Sequence, residues 1–158
     1  MNIIHTELAV DAQAVARRFG ARWVLRGASI RLQAGEVAGL VGANGSGKST
    51  LLRILCTLLR PTAGSATVFG ADVTRDADSV RESVGFFSPI PGVYEDLTAR
   101  ENLVFAATML GKPESGVDAV LERVRLSHVA GERVRGFSSG MLRRLSLARV
   151  LVHAPRLL

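Results

Sequence analysis

A glycine-rich run at residues 42–49 carries the strongest chemical signal in the sequence. In its letters, GANGSGKS, four residues separate the first glycine from a Gly-Lys-Ser end, and the run lies between an apolar stretch and a leucine-rich one. Glycines allow backbone angles at which successive N–H groups point inward, and these groups bind phosphate oxygens together with a helix N-terminus. The alternative, an ordinary glycine-rich turn, is disfavoured because the motif and its strand–loop–helix context occur together.

Lys48 and Ser49 give this loop its particular chemistry. The Lys48 ammonium would contact the β- and γ-phosphates of a nucleotide as a point charge, and the Ser49 hydroxyl would be a ligand of Mg²⁺. The predicted nucleotide contacts are the loop and the residue that follows it: Gly42, Ala43, Asn44, Gly45, Ser46, Gly47, Lys48, Ser49 and Thr50. The sequence therefore predicts a magnesium-dependent nucleotide phosphate site.

The elements that must position the loop are predicted from periodicity. Residues 37–41 are apolar without polar alternation, which predicts a parallel strand buried on both faces. The leucine spacing after the loop predicts a helix over 49–59. Further strands are predicted at 10–19, 28–32, 65–69 and 84–87, with a short helix at 75–83. Strands that alternate with helices predict an α/β core.

The second half of the chain changes character. Thr98 and Glu101 form a capping box that opens a helix, and Gly111 and Pro113 close it. Apolar residues at 117, 120, 121 and 124 predict the next helix. Residues from about 97 to 152 are therefore predicted to be mainly helical.

Composition narrows the class of protein. The 158 residues fit one domain, and the longest uncharged stretch has 12 residues, too few to cross a bilayer. The net charge of +6 could indicate nucleic acid, anionic lipid or polyphosphate, but the basic residues are scattered as singles and pairs, so nucleic acid is not expected. Cys56 is the only cysteine, which excludes an internal disulfide and predicts a small buried residue.

A second motif lies 90 residues after Lys48. Residues 137–141 read Phe-Ser-Ser-Gly-Met, and a basic, leucine-rich helix follows. This run resembles the signature motif of ABC transporter ATPases, usually Leu-Ser-Gly-Gly-Gln. The resemblance implies that Ser138, Ser139, Gly140 and Met141 contact ATP held by the opposite subunit, with donors at a helix N-terminus. A plain serine N-cap on an amphipathic helix is the alternative.

Two further places resemble the same family. Phe19 corresponds to the aromatic residue that stacks on adenine, although an ordinary apolar strand residue explains it equally well. Residues 94–103 resemble the segment after the Q-loop in ATPases of drug, sodium and haem exporters, which touches the membrane subunit. For Glu95 and Asp96 individually, a solvated helix start is the better interpretation.

The chain also departs from the family pattern. Pro89 stands where the Q-loop glutamine is expected, and proline cannot bind Mg²⁺ or orient water through its side chain. We expect Ser88 to take over part of that role. Ser139 and Met141 replace the usual glycine and glutamine of the signature. None of the three histidines, at positions 5, 128 and 153, lies where the switch histidine would, so all three are interpreted as surface or structural.

Residues 155–158 resemble the approach to the Walker B strand, whose Asp and Glu would follow. We therefore expect no appreciable ATPase activity from this chain alone and poor solubility of the fragment, because the metal-holding and water-polarising groups and a central strand are missing.

The resemblance implies the following organisation. We expect a P-loop NTPase of the α/β class with a mostly parallel core sheet, an antiparallel N-terminal β subdomain and a helical subdomain. One domain over 1–158 would comprise a nucleotide-binding core to about 88, a helical part over about 89–152, and the start of the Walker B strand at 153–158.

The function that this resemblance implies is ATP-driven transport by an exporter-type system with an unknown substrate. The cofactors would be ATP and Mg²⁺, and the partners a second ATP-binding domain and a transmembrane permease subunit at the inner face of the membrane. The alternatives are a soluble ABC ATPase that acts on nucleic acid or the ribosome, and a non-catalytic nucleotide-binding remnant.

Overall fold

The structure, a computed structural model, describes residues 7–88 and 92–158. Its contacts divide the chain into two units. The first unit runs to Val84 and also contains Leu157, and the second runs from Gly85 to Arg156 and also contains Leu158. Each unit encloses its own cluster of buried apolar side chains.

The first unit is built on a small antiparallel sheet. Its elements, in chain order, are β1 (Leu8–Phe19), β2 (Arg22–Gln33), α1 (Lys48–Leu55), β3 (Ala63–Val68), β4 (Ala71–Asp72) and α2 (Ala77–Ser83). The strands are ordered β2-β1-β3-β4, and every neighbouring pair is antiparallel. The sheet and both helices bury Val15, Ile54, Val68 and Val80 completely. The predicted antiparallel N-terminal sheet is thus confirmed. The predicted mostly parallel core sheet is not formed by the described residues, whose parallel pairing is a single bridge between Val84 and Leu157.

A bulge in β1 brings β3 unusually close. Pairing between the strands shifts register between Gln13 and Ala16, and Ala14 takes a φ of 49° while its N–H donates to Ser29 Oγ at 2.9 Å. Opposite this bulge Gly64 has a φ of 80°, and a Cβ there would lie 2.2 Å from the Ala14 carbonyl oxygen. The approach of two backbones at this point therefore requires glycine.

The prediction of a strand buried on both faces at 37–41 is wrong. These residues pair with no described part of the chain, and the side chains of Val37 and Val41 are 99% and 95% exposed. A strand buried on both faces needs neighbouring strands and covering helices, and no described residue supplies them here. In the predicted strand at 84–87, only Val84 forms a bridge, parallel to Leu157, whose N–H donates to the Ser83 carbonyl at 3.0 Å.

The helix after the glycine-rich loop is shorter than the predicted 49–59. It spans Lys48 to Leu55, because Thr57 takes a φ of 59° and turns the chain. The Leu58 N–H then donates back to the Arg53 carbonyl at 2.8 Å. Leu58 lies beyond the helix and is 57% exposed, so its helical spacing from the preceding leucines did not indicate a buried helix position.

The second unit is mainly helical, as predicted. It contains α3 (Ala99–Met109), α4 (Val117–Arg123) and α5 (Ser139–Val152), together with three short 3₁₀ turns. Leu103 of α3, Leu121 of α4 and Leu145 of α5 are buried together in its core. Within residues 7–88 and 92–158, no helix combines the length and apolar character that a membrane crossing requires.

The predicted capping box at the start of α3 is confirmed. Thr98 Oγ1 accepts from the Glu101 N–H at 3.1 Å, and Glu101 Oε2 accepts from the Thr98 N–H at 2.7 Å. The hydrogen bond from the Thr98 backbone is the main cause that lowers the pKa of the Glu101 carboxyl below its ordinary value. The ionised carboxylate is therefore the form that the folded helix favours.

This lowered pKa predicts an acid-dependent contribution to stability. A carboxyl whose folded pKa is lowered stabilises above its ordinary pKa, and the stabilisation is lost as the pH falls through the folded pKa. We expect Glu101→Gln to lower the urea midpoint at about pH 7, with the difference from wild type shrinking toward about pH 3. Glu122→Gln is the control, since Glu122 is exposed on α4 and outside the capping box. A constant difference between wild type and Glu101→Gln across this range would contradict the prediction.

Candidate nucleotide-binding site

The glycine-rich loop wraps the N-terminus of α1. Gly42, Gly45 and Gly47 all have positive φ, at 154°, 81° and 97°, so the glycines supply the backbone angles expected of them. Gly47 is also fixed sterically by β2, since a Cβ there would lie 2.6 Å from Leu25 Cδ2 and 2.9 Å from the Val24 carbonyl oxygen. The loop is thus held against β2 at its last glycine.

Lys48, the first residue of α1, turns back over the loop. Its Nζ donates to the carbonyl oxygens of Gly42 at 2.8 Å and Ala43 at 2.9 Å. Within the described residues, the N–H groups of Lys48, Ser49 and Thr50 donate to no oxygen. A half-buried ammonium and free amides at a helix N-terminus form an electropositive end that suits phosphate.

An open hollow lies at this helix end. It has a volume of about 220 Å³ and is lined by Val24, Asn44, Gly45, Gly47, Lys48, Ser49 and Thr50. Ser49, the predicted Mg²⁺ ligand, is exposed there. Within the described residues no group of three or more His, Cys, Asp or Glu side chains could hold a metal ion. A single hydroxyl still fits Mg²⁺, because this ion keeps several waters and is commonly held through substrate phosphates.

Phe19, the predicted adenine-stacking residue, ends β1 with 44% of its surface exposed. Its ring is not bare, because the guanidinium carbon of Arg17 lies 4.7 Å from the ring centre. Arg17 was not recognised from the sequence. The signal available in the sequence was its spacing, since residues two apart on a strand project from the same face.

The predicted signature residues lie at the start of α5 in the second unit. Ser138 is the N-cap, with its Oγ accepting from the Met141 N–H at 3.3 Å, and Ser138, Ser139 and Gly140 are all exposed. Met141 differs from them, because its side chain is half-buried and packs against the core of this unit. The structure thus leaves Ser138, Ser139 and Gly140 accessible, whereas Phe137 before them is buried.

A hollow of about 320 Å³ adjoins this helix start. It is lined by Phe87, Ser88, Ser139, Gly140, Leu142, Arg143 and Ser146. The structure therefore places Ser88, the residue expected to replace part of the Q-loop function, beside two signature residues. Pro89, which stands at the Q-loop glutamine position, lies outside the described residues.

The segment at 94–103 and the helix turn that follows it expose two aromatic side chains. Tyr94 and Phe105 form an edge-to-face pair with centres 5.1 Å apart, and they are 49% and 40% exposed. The buried Asn102 holds this segment: its Nδ2 donates to the carbonyl oxygens of Tyr94 and Thr98, both at 2.9 Å, and its Oδ1 accepts from the Tyr94 N–H at 2.8 Å. Asp96 pairs with Arg135 at the surface. Asn102 was not recognised from sequence.

The cysteine and the two histidines that the structure describes lie outside the two candidate ligand sites. Cys56 is half-buried rather than buried, and burial raises the pKa of its thiol to about 11, so the thiol stays protonated at neutral pH. His128 is exposed and His153 is half-buried. The third histidine, at position 5, lies outside the described residues.

A comparison with known proteins identifies the protein family to which this fold and glycine-rich loop belong. Residues 25–158 match the protein family described as ABC transporter. The chain therefore belongs to the ABC transporter family, in the part of it that binds ATP.

Individual relatives make this membership more specific. The chain is similar to the bacitracin transport ATP-binding protein BcrA of Bacillus licheniformis, with 36% identity over 145 residues, 91% of this chain and 47% of that protein. It is 38% identical over 156 residues to the daunorubicin resistance ATP-binding protein DrrA3 of Streptomyces coeruleorubidus, covering 96% and 49%. It is 36% identical over 154 residues to the Nod factor export ATP-binding protein I of Rhizobium etli, covering 95% and 49%. The chain spans about half the length of these curated relatives.

Solved structures confirm the predicted fold class. CbiO1 from Clostridium perfringens, described as part of an ABC transporter complex, matches with a TM-score of 0.82 at 24% identity, over 94% of this chain and 63% of that one. A nucleotide-free ATP-binding cassette from an ABC transporter matches with a TM-score of 0.82 at 23% identity, over 94% and 66%. The fold is thus the P-loop ATPase fold of ABC proteins.

Proposed function

We propose that this chain binds ATP with Mg²⁺ through residues 42–50 and serves as the ATP-binding part of an exporter-type ABC transporter. The observation that carries the proposal is the N-terminus of α1, where Lys48 and unbonded amides converge on an open hollow. The names of the relatives, which include bacitracin transport, daunorubicin resistance and Nod factor export, support the exporter assignment.

Each phosphate-binding group has a defined role in this proposal. Lys48 Nζ would exchange part of its hydrogen bonding to the carbonyl oxygens of Gly42 and Ala43 for hydrogen bonds to the β- and γ-phosphates. The Ser49 hydroxyl would coordinate Mg²⁺, which neutralises phosphate charge when it is bound. The exposed ring of Phe19 would stack on the adenine.

A second copy of the domain is the proposed partner for the signature motif. Ser138, Ser139 and Gly140 are exposed at the start of a 14-residue helix, where hydroxyls, backbone N–H groups and the helix dipole favour a phosphate. In this arrangement they would meet ATP held by the opposite subunit. Met141 would contribute mainly by packing, since it lies against the core.

A transmembrane permease subunit is the proposed second partner. The outer surface of α3 exposes Phe105 and Met109, Leu110 is exposed directly after the helix, and Tyr94 contacts the Phe105 ring. Aromatic and methionine side chains of this kind are enriched where proteins dock. The chain would accordingly lie at the cytoplasmic face of a membrane, held there by the permease. Hydrolysis would require the Asp and Glu that the family carries after the Walker B strand.

The test is nucleotide binding by the full chain and by Lys48→Ala. We expect Lys48→Ala to weaken Mg²⁺-ATP binding about tenfold or more, because hydrogen bonds to charged groups contribute about 1.5–3 kcal/mol each. Equilibrium dialysis with labelled ATP measures both dissociation constants.

The sequence offers a matched control, since it contains only two lysines. Lys112→Ala removes the same charge from an exposed position beyond α3 and is expected to bind ATP as the wild type does. Equal binding by wild type and Lys48→Ala, or no binding by wild type, would refute the proposed phosphate site.

A further inference from the structure

We propose that Arg17 is a positioning residue for Phe19: it holds the ring so that the exposed face can stack on the base, and it thereby raises the preference of this chain for ATP over bare polyphosphate. The inference rests on the proposed nucleotide-binding function. It adds a residue that no motif in the sequence singles out.

The contacts of Arg17 define this role. Its guanidinium carbon lies 4.7 Å from the centre of the Phe19 ring, inside the range of about 6 Å for a cation–π interaction. Its Nη1 donates to the Arg60 carbonyl oxygen at 2.9 Å, and this bond anchors the guanidinium to the chain before β3. Arg17 is half-buried, whereas the ring that it covers is 44% exposed.

Arg17 has no competing electrostatic task within the described residues. None of the described carboxylates forms an ion pair with it, and its Nε is inaccessible to solvent and has no hydrogen-bond partner. An arginine normally binds a carboxylate or a phosphate through several of its donors. Here the guanidinium plane is instead retained by one carbonyl and one aromatic ring.

This arrangement has a consequence for ligand choice. Phe19 ends its strand, so its exposed ring must be ordered before a planar base can stack on it, and Arg17 supplies that order in advance. Ordering one side chain corresponds to about a two- to tenfold change in affinity. A ligand without a base gains nothing from it. Arg17 should therefore affect ATP and leave tripolyphosphate unaffected.

β1 provides a matched control at the adjacent position. The guanidinium carbon of Arg18 lies 5.6 Å from the centre of the Trp23 ring, so Arg18→Ala removes the same charge and the same kind of contact from a different ring. Dissociation constants for ATP and for tripolyphosphate would be measured calorimetrically on the full chain and on Arg17→Ala, Arg17→Lys, Arg18→Ala, Phe19→Leu and the double variant Arg17→Ala with Phe19→Leu.

The expected pattern is selective. Arg17→Ala weakens ATP two- to tenfold and leaves tripolyphosphate unchanged, while Arg17→Lys, which keeps the charge without the plane, weakens ATP by an intermediate factor. Arg18→Ala matches wild type for both ligands. Arg17→Ala has no further effect once Phe19 is leucine, because the ring through which it acts is gone.

Other results would overturn the inference in recognisable ways. Unchanged ATP affinity in Arg17→Ala, or equal losses for both ligands, would remove the positioning role, since a purely electrostatic effect weakens tripolyphosphate as well. Wild type that binds both ligands, with Phe19→Leu unaltered, would reject base stacking and keep the phosphate site. Wild type that binds neither ligand would reject the proposed function itself.

Discussion

Gly64→Ala is expected to lower the free energy of unfolding of the first unit by more than about 3 kcal/mol. The added Cβ would lie 2.2 Å from the Ala14 carbonyl oxygen and 2.6 Å from that of Gln13, and both are backbone atoms that no rotamer change can move. The φ of 80° at this position is itself unfavourable for alanine by about 1–2 kcal/mol. Relief would require β3 to separate from the bulge in β1.

Unfolding of this unit can be followed by its own fluorophore. Trp23 is the only tryptophan and lies on β2, so urea titration of tryptophan fluorescence reports on the sheet. Gly70→Ala is the control: its φ is 81°, but no atom lies within 4 Å of the added Cβ, so a loss of about 1 kcal/mol is expected. Equal losses for the two variants would show that the close backbone approach does not matter.

Asn102→Leu is expected to lower the free energy of unfolding of the second unit by about 3 kcal/mol. The carboxamide is completely buried and makes three hydrogen bonds to the backbone of Tyr94 and Thr98. Leucine has a similar volume and no polar atoms, so the variant leaves the Tyr94 N–H without its partner, while the Tyr94 and Thr98 carbonyl oxygens keep the N–H groups of Leu97 and Asn102. The cost arises from the unsatisfied Tyr94 N–H and from the three lost hydrogen bonds of the carboxamide.

Tyr94 is the only tyrosine, and it reports directly on this region. Near-ultraviolet circular dichroism of its ring during urea unfolding would give the midpoint. Thr108→Ala on the same helix removes an exposed hydroxyl that donates to the Val104 carbonyl oxygen, and it should cost less than about 0.5 kcal/mol. A similarly small loss in Asn102→Leu would mean that water replaces the carboxamide.

The features that could be predicted from the sequence are local ones. The capping box of Thr98 and Glu101 depends on residues three apart, and the structure contains both of its hydrogen bonds. The glycine-rich loop likewise combines backbone angles and a helix start within a few residues. In both cases the few neighbouring residues that form the structure are the same residues whose types predict it.

The features that could not be predicted depend on distant residues. Apolar composition at 37–41 indicates a buried strand only if partner strands are present, and no described residue pairs with it. Gly64 looks like a turn residue until the bulge at Ala14 is known. Arg17 resembles any basic residue until Arg60 and Phe19 are placed around it.

The unpaired run at the start of the glycine-rich loop also determines how its amide hydrogens exchange with solvent. None of the N–H groups from residue 37 to residue 45 donates to a described oxygen, so in the empty chain these amides should exchange at rates close to those of an unfolded peptide. A phosphate gathered by the loop would slow only the amides that point at it. Pairing of 37–41 with another strand would instead slow alternate amides along that stretch, so deuterium uptake separates ligand capture from completion of the sheet.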